Sequence, residues 1–340
     1  MRLKAEIAAP RVRAVAPVLL GAVMTAALPG LTGCSGPTGH DAAAPRAGDR
    51  AAVSAPPGPE ATVDLKQWIT AFTDRIAQGG HYRIPAAGDR EALATGVRRL
   101  VDGDPAGAER SLARAGYHAR TVVDRDGGRK YAEVADATQD GEATRGWGRV
   151  YVDLGAPVRW QVQVPHPAAD QRSEQLGIGV LRGAPGGVLI LAGAYRSGGP
   201  AGDEDAPDVA HRTDSVFAAV AGALADARLP AVQVHGFADS SLPDEDVVVS
   251  PGKGDAGLPA ARRLSAALRR EELRVCEVWK RYCGRLEGRT NVEGDHADAV
   301  GVPFLHVEHA RRVRMDDALV ARAVRALTRV VERWGAGRAG

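Results

Sequence analysis

The sequence contains little cysteine, few aromatic residues and almost no excess of charge of either sign. Only three of its 340 residues are cysteines, and Phe, Trp and Tyr together make up 4% of the chain. Three thiols exclude a framework held together by many disulfides. The 44 Lys and Arg residues nearly balance the 42 Asp and Glu residues, and no basic stripe with interleaved aromatic residues occurs. The composition therefore argues against nucleic acid as a partner.

The first 33 residues are organised like a targeting segment. Basic residues come first, and an uncharged, largely apolar stretch follows over residues 14–31, short for a transmembrane helix. The basic residues are Arg2, Lys4, Arg11 and Arg13. The run Leu31-Thr-Gly-Cys34 then resembles the bacterial lipobox, in which the cysteine receives acyl chains such as palmitate. We expect residues 1–33 to be a lipoprotein signal peptide and Cys34 to carry lipid; an ordinary signal peptide with a chance cysteine is the alternative.

Lipid on Cys34 would hold the protein at the extracytoplasmic face of a cell membrane. Each buried methylene contributes ~0.8 kcal/mol, so two or three acyl chains anchor a domain stably. Residues 34–62 are dominated by Ala, Pro and Gly. Such a segment cannot bury enough apolar surface to offset its ordering entropy. We expect it to be a disordered tether between the membrane and the folded part of the chain.

Hydrophobic periodicity divides the rest of the chain into two regions. Residues 63–157 first show helical spacing, over 64–78, 89–101 and 104–115, and then alternate with a period of two, as antiparallel strands do. From residue 158 to 336, short apolar strands alternate with helices. This alternation is typical of an α/β fold. We therefore predict a mixed, mainly parallel central sheet flanked by helices, preceded by a small helical and antiparallel-strand region.

If Cys34 carries lipid, Cys276 and Cys283 are left as an even pair in an oxidising compartment. On one helix, two residues at this spacing would have Cα atoms about 10 Å apart, too far for a disulfide. The segment around Cys276 alternates like a strand, however, and Gly284 follows Cys283. A strand followed by a reversal of the chain would bring the sulfur atoms together. We expect a disulfide; two buried free thiols are the alternative.

Polar residues follow or end several predicted strands of the α/β region, where ligands of such sheets bind. His166 follows one strand, and the chain then turns into a predicted helix bearing Asp170 and Glu174. His235 ends a second strand, and Glu308 lies near the end of a third. Six of the nine histidines fall in this part of the chain, namely His166, His211, His235, His296, His306 and His309. Several strand ends therefore deliver metal-ligating residue types to one edge of the sheet.

This combination is typical of a hydrolytic zinc site. Two histidines and one carboxylate hold the ion and leave a fourth position open. Zinc lowers the pKa of bound water and polarises the carbonyl group that is attacked. We assign His166, Asp170 and His235 to Zn²⁺, and Glu308 to the general base that takes the proton of the water.

The same motifs resemble a known family. The order His166-x3-Asp170-x2-Ser-Glu174, a strand-borne His235-Gly and then Phe-Leu-His-Val-Glu308 is similar to the zinc carboxypeptidase-like fold. The branch it resembles most is the poly-γ-glutamate hydrolase and N-formylglutamate amidohydrolase-like group. In that group a histidine and an acid on one loop and a later histidine hold zinc, and a glutamate on a late strand is catalytic. The usual His-x2-Glu of carboxypeptidases is absent, so Glu174 is the alternative second ligand.

Three further residues are expected to bind substrate. Arg196 ends a core strand and offers a bidentate contact to a carboxylate. His211 precedes a helix and is expected to contact substrate or stabilise the oxyanion. Asn291 lies in a loop near the predicted site and is expected to orient substrate. His306 should share the strand face of Glu308, either as a partner of the site or as packing.

The extracytoplasmic setting, the family resemblance and a carboxylate-binding arginine together indicate the substrate class. We expect an amide bond in a peptide, a cell-wall peptide or a γ-glutamyl polymer. A serine hydrolase that uses Ser240 or Ser215 is disfavoured because no Gly-x-Ser-x-Gly elbow occurs. The other alternative is a non-catalytic lipoprotein that binds a metal or another ligand.

Overall fold

Strands and helices alternate along the folded part of the chain, and the strands pair into one mixed sheet. The computed structural model describes residues 54–56, 58–138 and 140–337. The predicted signal peptide, Cys34 and most of the predicted tether lie outside the described residues. Among the helices that are described, none is both long enough and apolar enough to cross a membrane.

The strands lie side by side in an order that differs from their order in the chain. In chain order they are β1 (Ala61–Val63), β2 (Tyr117–Asp124), β3 (Lys130–Asp136), β4 (Arg149–Asp153), β5 (Trp160–Val164), β6 (Gly187–Leu191), β7 (Ala231–Phe237), β8 (Val247–Ser250), β9 (Val275–Glu277) and β10 (Phe304–Ala310). Across the sheet the order is β1-β2-β3-β4-β6-β5-β7-β10-β8-β9. The central strands β6, β5, β7 and β10 are parallel, whereas β2, β3 and β4 are antiparallel and join the centre through an antiparallel pairing of β4 with β6.

Helices cover both faces of this sheet. They are α1 (Leu65–Thr73), α2 (Ala87–Val101), α3 (Pro105–Arg114), α4 (Gly141–Arg145), α5 (Ser173–Gly183), α6 (Val216–Asp226), α7 (Leu258–Arg270), α8 (Val292–Ala299), α9 (Arg311–Met315) and α10 (Asp317–Gly335). One face packs against α1, α5, α7 and α10, and the other against α2, α3 and α6, with α8 beside α6. The prediction of a mixed α/β sheet flanked by helices is confirmed.

The alternation of β6 shows why the sheet is buried on both faces. Leu189 and Leu191 belong to the apolar cluster under α5 and α10, and Val188 and Ile190 belong to the cluster under α2 and α6. Successive side chains of a strand point to opposite faces, so a continuous apolar run fills both clusters. The carboxyl ends of the parallel strands are then left as the accessible edge of the sheet.

The start of the folded region differs slightly from the prediction. Ala61 and Thr62, which the composition placed in the tether, belong to β1 and pair in parallel with Val122 and Val123 of β2. This segment has little apolar surface of its own, and it forms a strand because its backbone groups bond to those of β2. Hydrophobic periodicity also did not predict two elements near the site, the strand β8 and the helix α8.

Candidate metal centre

Three metal-ligating side chains meet beyond the carboxyl ends of β5 and β7. After β5 ends at Val164, a turn carries His166 and Asp170, and the Asp170 amide donates to the His166 carbonyl at 2.8 Å. His235 lies near the end of β7, which pairs in parallel with β5. Parallel strands present their carboxyl ends at one edge, so the turn and the strand end are neighbours. The residues assigned to a metal from the sequence are thus brought together.

The spacing of the ligand atoms fits a metal ion. One ligand atom from each of His166, Asp170 and His235 lies within 4.8 Å of the others. Asp170 Oδ2 is 3.6 Å from His166 Nδ1 and 3.4 Å from His235 Nδ1. A tetrahedral ion with bonds of about 2.0–2.2 Å holds its ligand atoms about 3.4 Å apart. His166 Nδ1 and Asp170 Oδ2 are also buried without a hydrogen-bond partner, as atoms reserved for an ion would be.

The second nitrogen of each histidine is held by another side chain. His166 Nε2 lies 2.8 Å from Asp208 Oδ1, and His235 Nε2 lies 2.6 Å from Gln233 Oε1. Histidines that bind a metal commonly donate their outer nitrogen to a carboxylate or carbonyl oxygen, which fixes the ring and its tautomer. These supporting contacts, like the candidate ligands themselves, are compatible with a metal site.

The electrostatics of the site favour a cation. Burial lowers the pKa of His166, but the adjacent carboxylates of Asp170 and Asp208 outweigh burial and raise it to about 9. Burial opposes ionisation of both acids, yet the adjacent histidine rings hold each carboxyl pKa well below its usual range. Burial and the neighbouring His306 lower the pKa of His235 to about 4. At pH 7 both carboxylates are thus ionised and His235 is neutral, whereas His166 carries a proton that a divalent ion would displace on binding.

Glu308 lies beside the ligands in an open pocket with a volume of about 480 Å³. It occupies the position of β10 opposite His235 in the register of the two strands. Its Oε2 is buried without a hydrogen-bond partner, and its Oε1 is 3.5 Å from His306 Nε2. His306 shares this face, as expected, with its ring centroid 4.5 Å from that of His235. A carboxylate oxygen without a partner beside a metal site is able to accept a proton.

Arg196 and His211 line the same pocket and are joined through Asp208. Arg196 Nη2 donates to Asp208 Oδ2 at 2.6 Å, and His211 Nδ1 lies 3.2 Å from the same oxygen. The other oxygen of Asp208 holds His166. A contact of either residue with substrate stays a prediction, but both lie where a ligand of the pocket would meet them.

Asn291 also lines the pocket, yet its side chain is engaged with the protein. Its Oδ1 accepts hydrogen bonds from the amides of Glu293 and Gly294, both at 3.1 Å, at the N-cap of α8. Its Nδ2 donates to Gln233 Oε1. We expected Asn291 to contact substrate, but its partners are these protein groups. Through Gln233, Asn291 is connected to the ring of His235.

Glu174, the alternative second ligand, is not part of the metal cluster. We expected Asp170 and Glu174 on one helix, but α5 begins only at Ser173. Asp170 therefore stays in the turn beside the histidines, and the helix carries Glu174 away from them. The Glu174 carboxylate accepts from Gln175 Nε2 at 2.9 Å and lines a separate groove beside α1. The choice of Asp170 over Glu174 is consistent with this geometry.

A disulfide secures the loop that forms one side of the pocket. Cys276 of β9 is bonded to Cys283, with Cα atoms 6.0 Å apart, in the strand and chain reversal that the sequence indicated. Residues 284–291 follow and line the pocket. Gly288, with φ of +62°, lies so close to the ring of His306 that an added Cβ would come within 2.4 Å of His306 Cγ. Only glycine allows this close approach.

The sequence motifs did not identify three buried polar residues of the site: Gln233, Glu293 and Arg314. Gln233 lies two residues before His235 on the same strand face, and a polar residue in an apolar strand was the available signal. No local signal marks Arg314, because its partners come from separate segments. Its guanidinium donates to the carbonyl groups of Asp170, Gln171, Phe237 and His309.

Comparison with known proteins gives matches among solved structures only. No family model and no curated protein matches the chain. N-formylglutamate amidohydrolase from Ralstonia eutropha JMP134 is 16% identical, with a TM-score of 0.38 over 54% of this chain and 95% of that one. A bacteriophage poly-gamma-glutamate hydrolase is 14% identical, with a TM-score of 0.40 over 57% and 92%. A metallo-carboxypeptidase from Burkholderia cenocepacia is 14% identical, with a TM-score of 0.33 over 73% and 70%.

Proposed function

We propose that the protein is a zinc-dependent hydrolase that cleaves an amide bond in a peptide, cell-wall or γ-glutamyl substrate. Lipid on Cys34 would hold it at the extracytoplasmic face of a cell membrane. The observation that carries the proposal is the convergence of His166, Asp170 and His235 beside the unpartnered carboxylate oxygen of Glu308. Two nitrogen ligands, one oxygen ligand and a pocket open to solvent match catalytic zinc sites.

His166, Asp170 and His235 would hold the ion. When bound, zinc lowers the pKa of water towards neutrality and polarises a carbonyl group. Glu308 accepts the proton of the attacking water on Oε2 and returns a proton to the leaving nitrogen. The donors of Arg196 that do not contact Asp208 are available to orient a substrate carboxylate at the rim of the pocket. The substrate class is the one that the sequence resemblance implies.

Elemental analysis of the purified protein tests the metal, and hydrolysis before and after chelation tests its role. The substrates to compare are γ-glutamyl peptides, poly-γ-glutamate and cell-wall peptides. We expect about one zinc per chain, and we expect hydrolysis to stop on chelation and to return when zinc is restored. Absence of stoichiometric metal after purification without chelators would contradict the proposal.

Glu308→Gln separates a hydrolase from a protein that only binds metal. The amide keeps the shape of the side chain but cannot accept the proton, so we expect turnover to fall by about 10²–10⁴-fold with zinc content unchanged. Metal held tightly by a wild-type protein without turnover on any of these substrates would favour the binding lipoprotein instead.

Replacing Cys34 with Ser tests the anchor separately. We expect that variant to lose palmitate labelling and leave the membrane fraction.

A further inference from the structure

His235 binds a metal ion through Nδ1 only when that nitrogen carries no proton. In a neutral imidazole one ring nitrogen is protonated and the other has a lone pair, and their hydrogen-bond partners decide which is which. His235 Nε2 faces the Gln233 side chain at 2.6 Å, whereas Nδ1 faces Asp170. If Gln233 presents its oxygen, Nε2 donates and Nδ1 keeps its lone pair. If Gln233 presents its nitrogen, the proton moves to Nδ1 and the metal loses a ligand.

The neighbours of Gln233 decide which way its amide group faces. Its Nε2 donates to Gln163 Oε1 at 2.9 Å and to Glu293 Oε2 at 3.1 Å. Its Oε1 accepts from Asn291 Nδ2 and from the His235 ring. A flipped amide would place its oxygen against the Gln163 oxygen, which has no proton to donate, and its nitrogen against the Asn291 donor. The oxygen therefore faces His235 as long as the neighbouring amides cannot turn.

Asn291 cannot turn because backbone groups hold its other end. Its Oδ1 accepts from the amides of Glu293 and Gly294, both at 3.1 Å, in the first turn of α8. A backbone N–H is always a donor, so the oxygen of Asn291 must face the helix. Its nitrogen then has to face Gln233. The start of α8 thus fixes one end of the arrangement.

Gln163 is fixed from the opposite direction. Its Nε2 donates to Gln161 Oε1 at 2.9 Å, and Gln161 Nε2 donates to the carbonyl oxygens of Ala221 and Leu229 at 3.4 and 3.2 Å. A carbonyl is always an acceptor, so Gln161 must present its nitrogen to the backbone and its oxygen to Gln163. Gln163 in turn presents its oxygen to Gln233, its partner in the register of β5 and β7.

We infer that this amide chain, formed by Gln161, Gln163, Gln233 and Asn291, sets the tautomer of His235 and keeps Nδ1 available for the metal. The inference rests on the proposed function, in which His235 is a ligand. Because backbone groups anchor the amide chain at both ends, no member turns without breaking a hydrogen bond to a buried partner. Gln233 and Asn291 are positioning residues that act through the His235 ring.

Asn291→Asp tests the amide chain with little change of shape. Aspartate keeps an oxygen for the α8 amides, but its second oxygen faces the Gln233 oxygen and favours the flipped amide. In the full-length protein, zinc affinity is measured by competition with a chromophoric chelator. The His235 tautomer is read from ¹⁵N NMR of histidine-labelled protein, with signals identified by their absence in a His235→Gln variant. We expect zinc binding to weaken about 10–100-fold and the ring proton to move to Nδ1.

Two further variants make the result decisive. Asn291→Ser keeps a capping oxygen but lacks the amide donor, and we expect it to lose less zinc affinity than Asn291→Asp. This variant supplies the measurement if Asn291→Asp does not fold. Asp104→Asn is the matched control, because it exchanges acid and amide at the N-cap of α3, where Asp104 accepts from the Gly107 amide at 2.8 Å. We expect the control to keep wild-type zinc affinity and the wild-type tautomer.

The outcomes distinguish the inference from the proposed function. Wild-type zinc affinity and an Nε2 proton in the Asn291 variants would overturn the inference and leave the zinc site in place. A wild-type protein that binds no zinc would overturn the proposed function instead. The NMR spectrum of the metal-free protein then still decides the inference. The inference is supported if the His235 proton is on Nε2 in the wild type and moves to Nδ1 in Asn291→Asp. It is contradicted if the proton stays on Nε2 in the variant, or if it is already on Nδ1 in the wild type.

Discussion

Glu293 is a buried acid behind the candidate metal ligands, and its Oε1 has no hydrogen-bond partner among the described residues. Its Oε2 accepts from Gln233 Nε2 at 3.1 Å. Burial raises its pKa from the ordinary value of 4.5 to about 8. Between these two pH values the folded protein therefore binds a proton that the unfolded chain has released. Stability must fall as the pH rises from about 4.5 to about 8, because the folded state holds more protons in that window.

We expect Glu293→Gln to remove this loss of stability, since a glutamine keeps an oxygen for Gln233 and never ionises. A tenfold change in proton affinity corresponds to about 1.4 kcal/mol, so the variant should gain on the order of 2–4 kcal/mol over wild type at pH 8. The gain should be much smaller at pH 5. Urea denaturation of both proteins at the two pH values checks this expectation. Equal pH dependence of wild type and variant would show that Glu293 does not titrate in this range.

The clustering of the three candidate ligands could be predicted from the sequence, but the residues that support them could not. His166, Asp170 and His235 follow directly from strand ends and from the residue types that zinc prefers. Gln233 and Arg314 contribute through contacts with residues far away in the chain, and no local pattern records such contacts. Residues that touch a ligand are thus visible in short motifs, whereas residues that orient them depend on the completed fold.

At the scale of single elements, the disulfide loop between β9 and α8 forms one side of the pocket and contains no helix or strand. The bond joins Cys276 and Cys283, which are separated by 7 positions and completely buried. The Cys276→Ser, Cys283→Ser double variant should lose about 2–3 kcal/mol of unfolding free energy, the chain-entropy value for so short a loop. Urea denaturation measures it. Addition of dithiothreitol should lower the stability of the wild type to that of the variant, and no response to the reductant would contradict the expectation.

Element prediction failed where packing, and not periodicity, decides the structure. β8 is a run of four residues whose pairing with β10 and β9 supplies its order. α8 has no apolar stripe, yet it packs beside α6 and begins at the Asn291 cap. Its start signal was available in the sequence, because asparagine followed by acidic residues is typical of a helix N-terminus. The length of α8 could not be predicted from the sequence, since tertiary contacts override weak helix propensity.

At the scale of the whole molecule, the class of fold was predictable and the strand order was not. Alternation of apolar strands and helices from β5 onward is sufficient to indicate a parallel centre. The antiparallel strands of the earlier region, however, continue the same sheet through β4 and β6. Periodicity describes each segment by itself and carries no information on which edge of a sheet a later strand joins. The candidate metal cluster comes from the predictable part, because its three residues lie at the end of β7 and in the turn after the neighbouring parallel strand β5.

Zinc binding should stabilise the whole fold, because an ion held by residues from the turn after β5 and from β7 is released when the chain unfolds. At a zinc concentration of about 100 times the dissociation constant, the gain is about 2.7 kcal/mol. For a chain of this size we expect the melting temperature to rise by roughly 4–5 °C, measured by calorimetry with and without zinc.

Two isosteric variants identify the acid responsible for this coupling. Asp170→Asn removes the charge between the two histidines and should abolish the zinc-dependent rise, whereas Glu174→Gln should keep it, because Glu174 lies on α5 in a separate groove. The two residues are four positions apart and both are buried, so a general effect of losing a buried acid would appear equally in both. A rise that survives Asp170→Asn and disappears in Glu174→Gln would reassign the second ligand, since only the acid that binds the ion links its occupancy to unfolding.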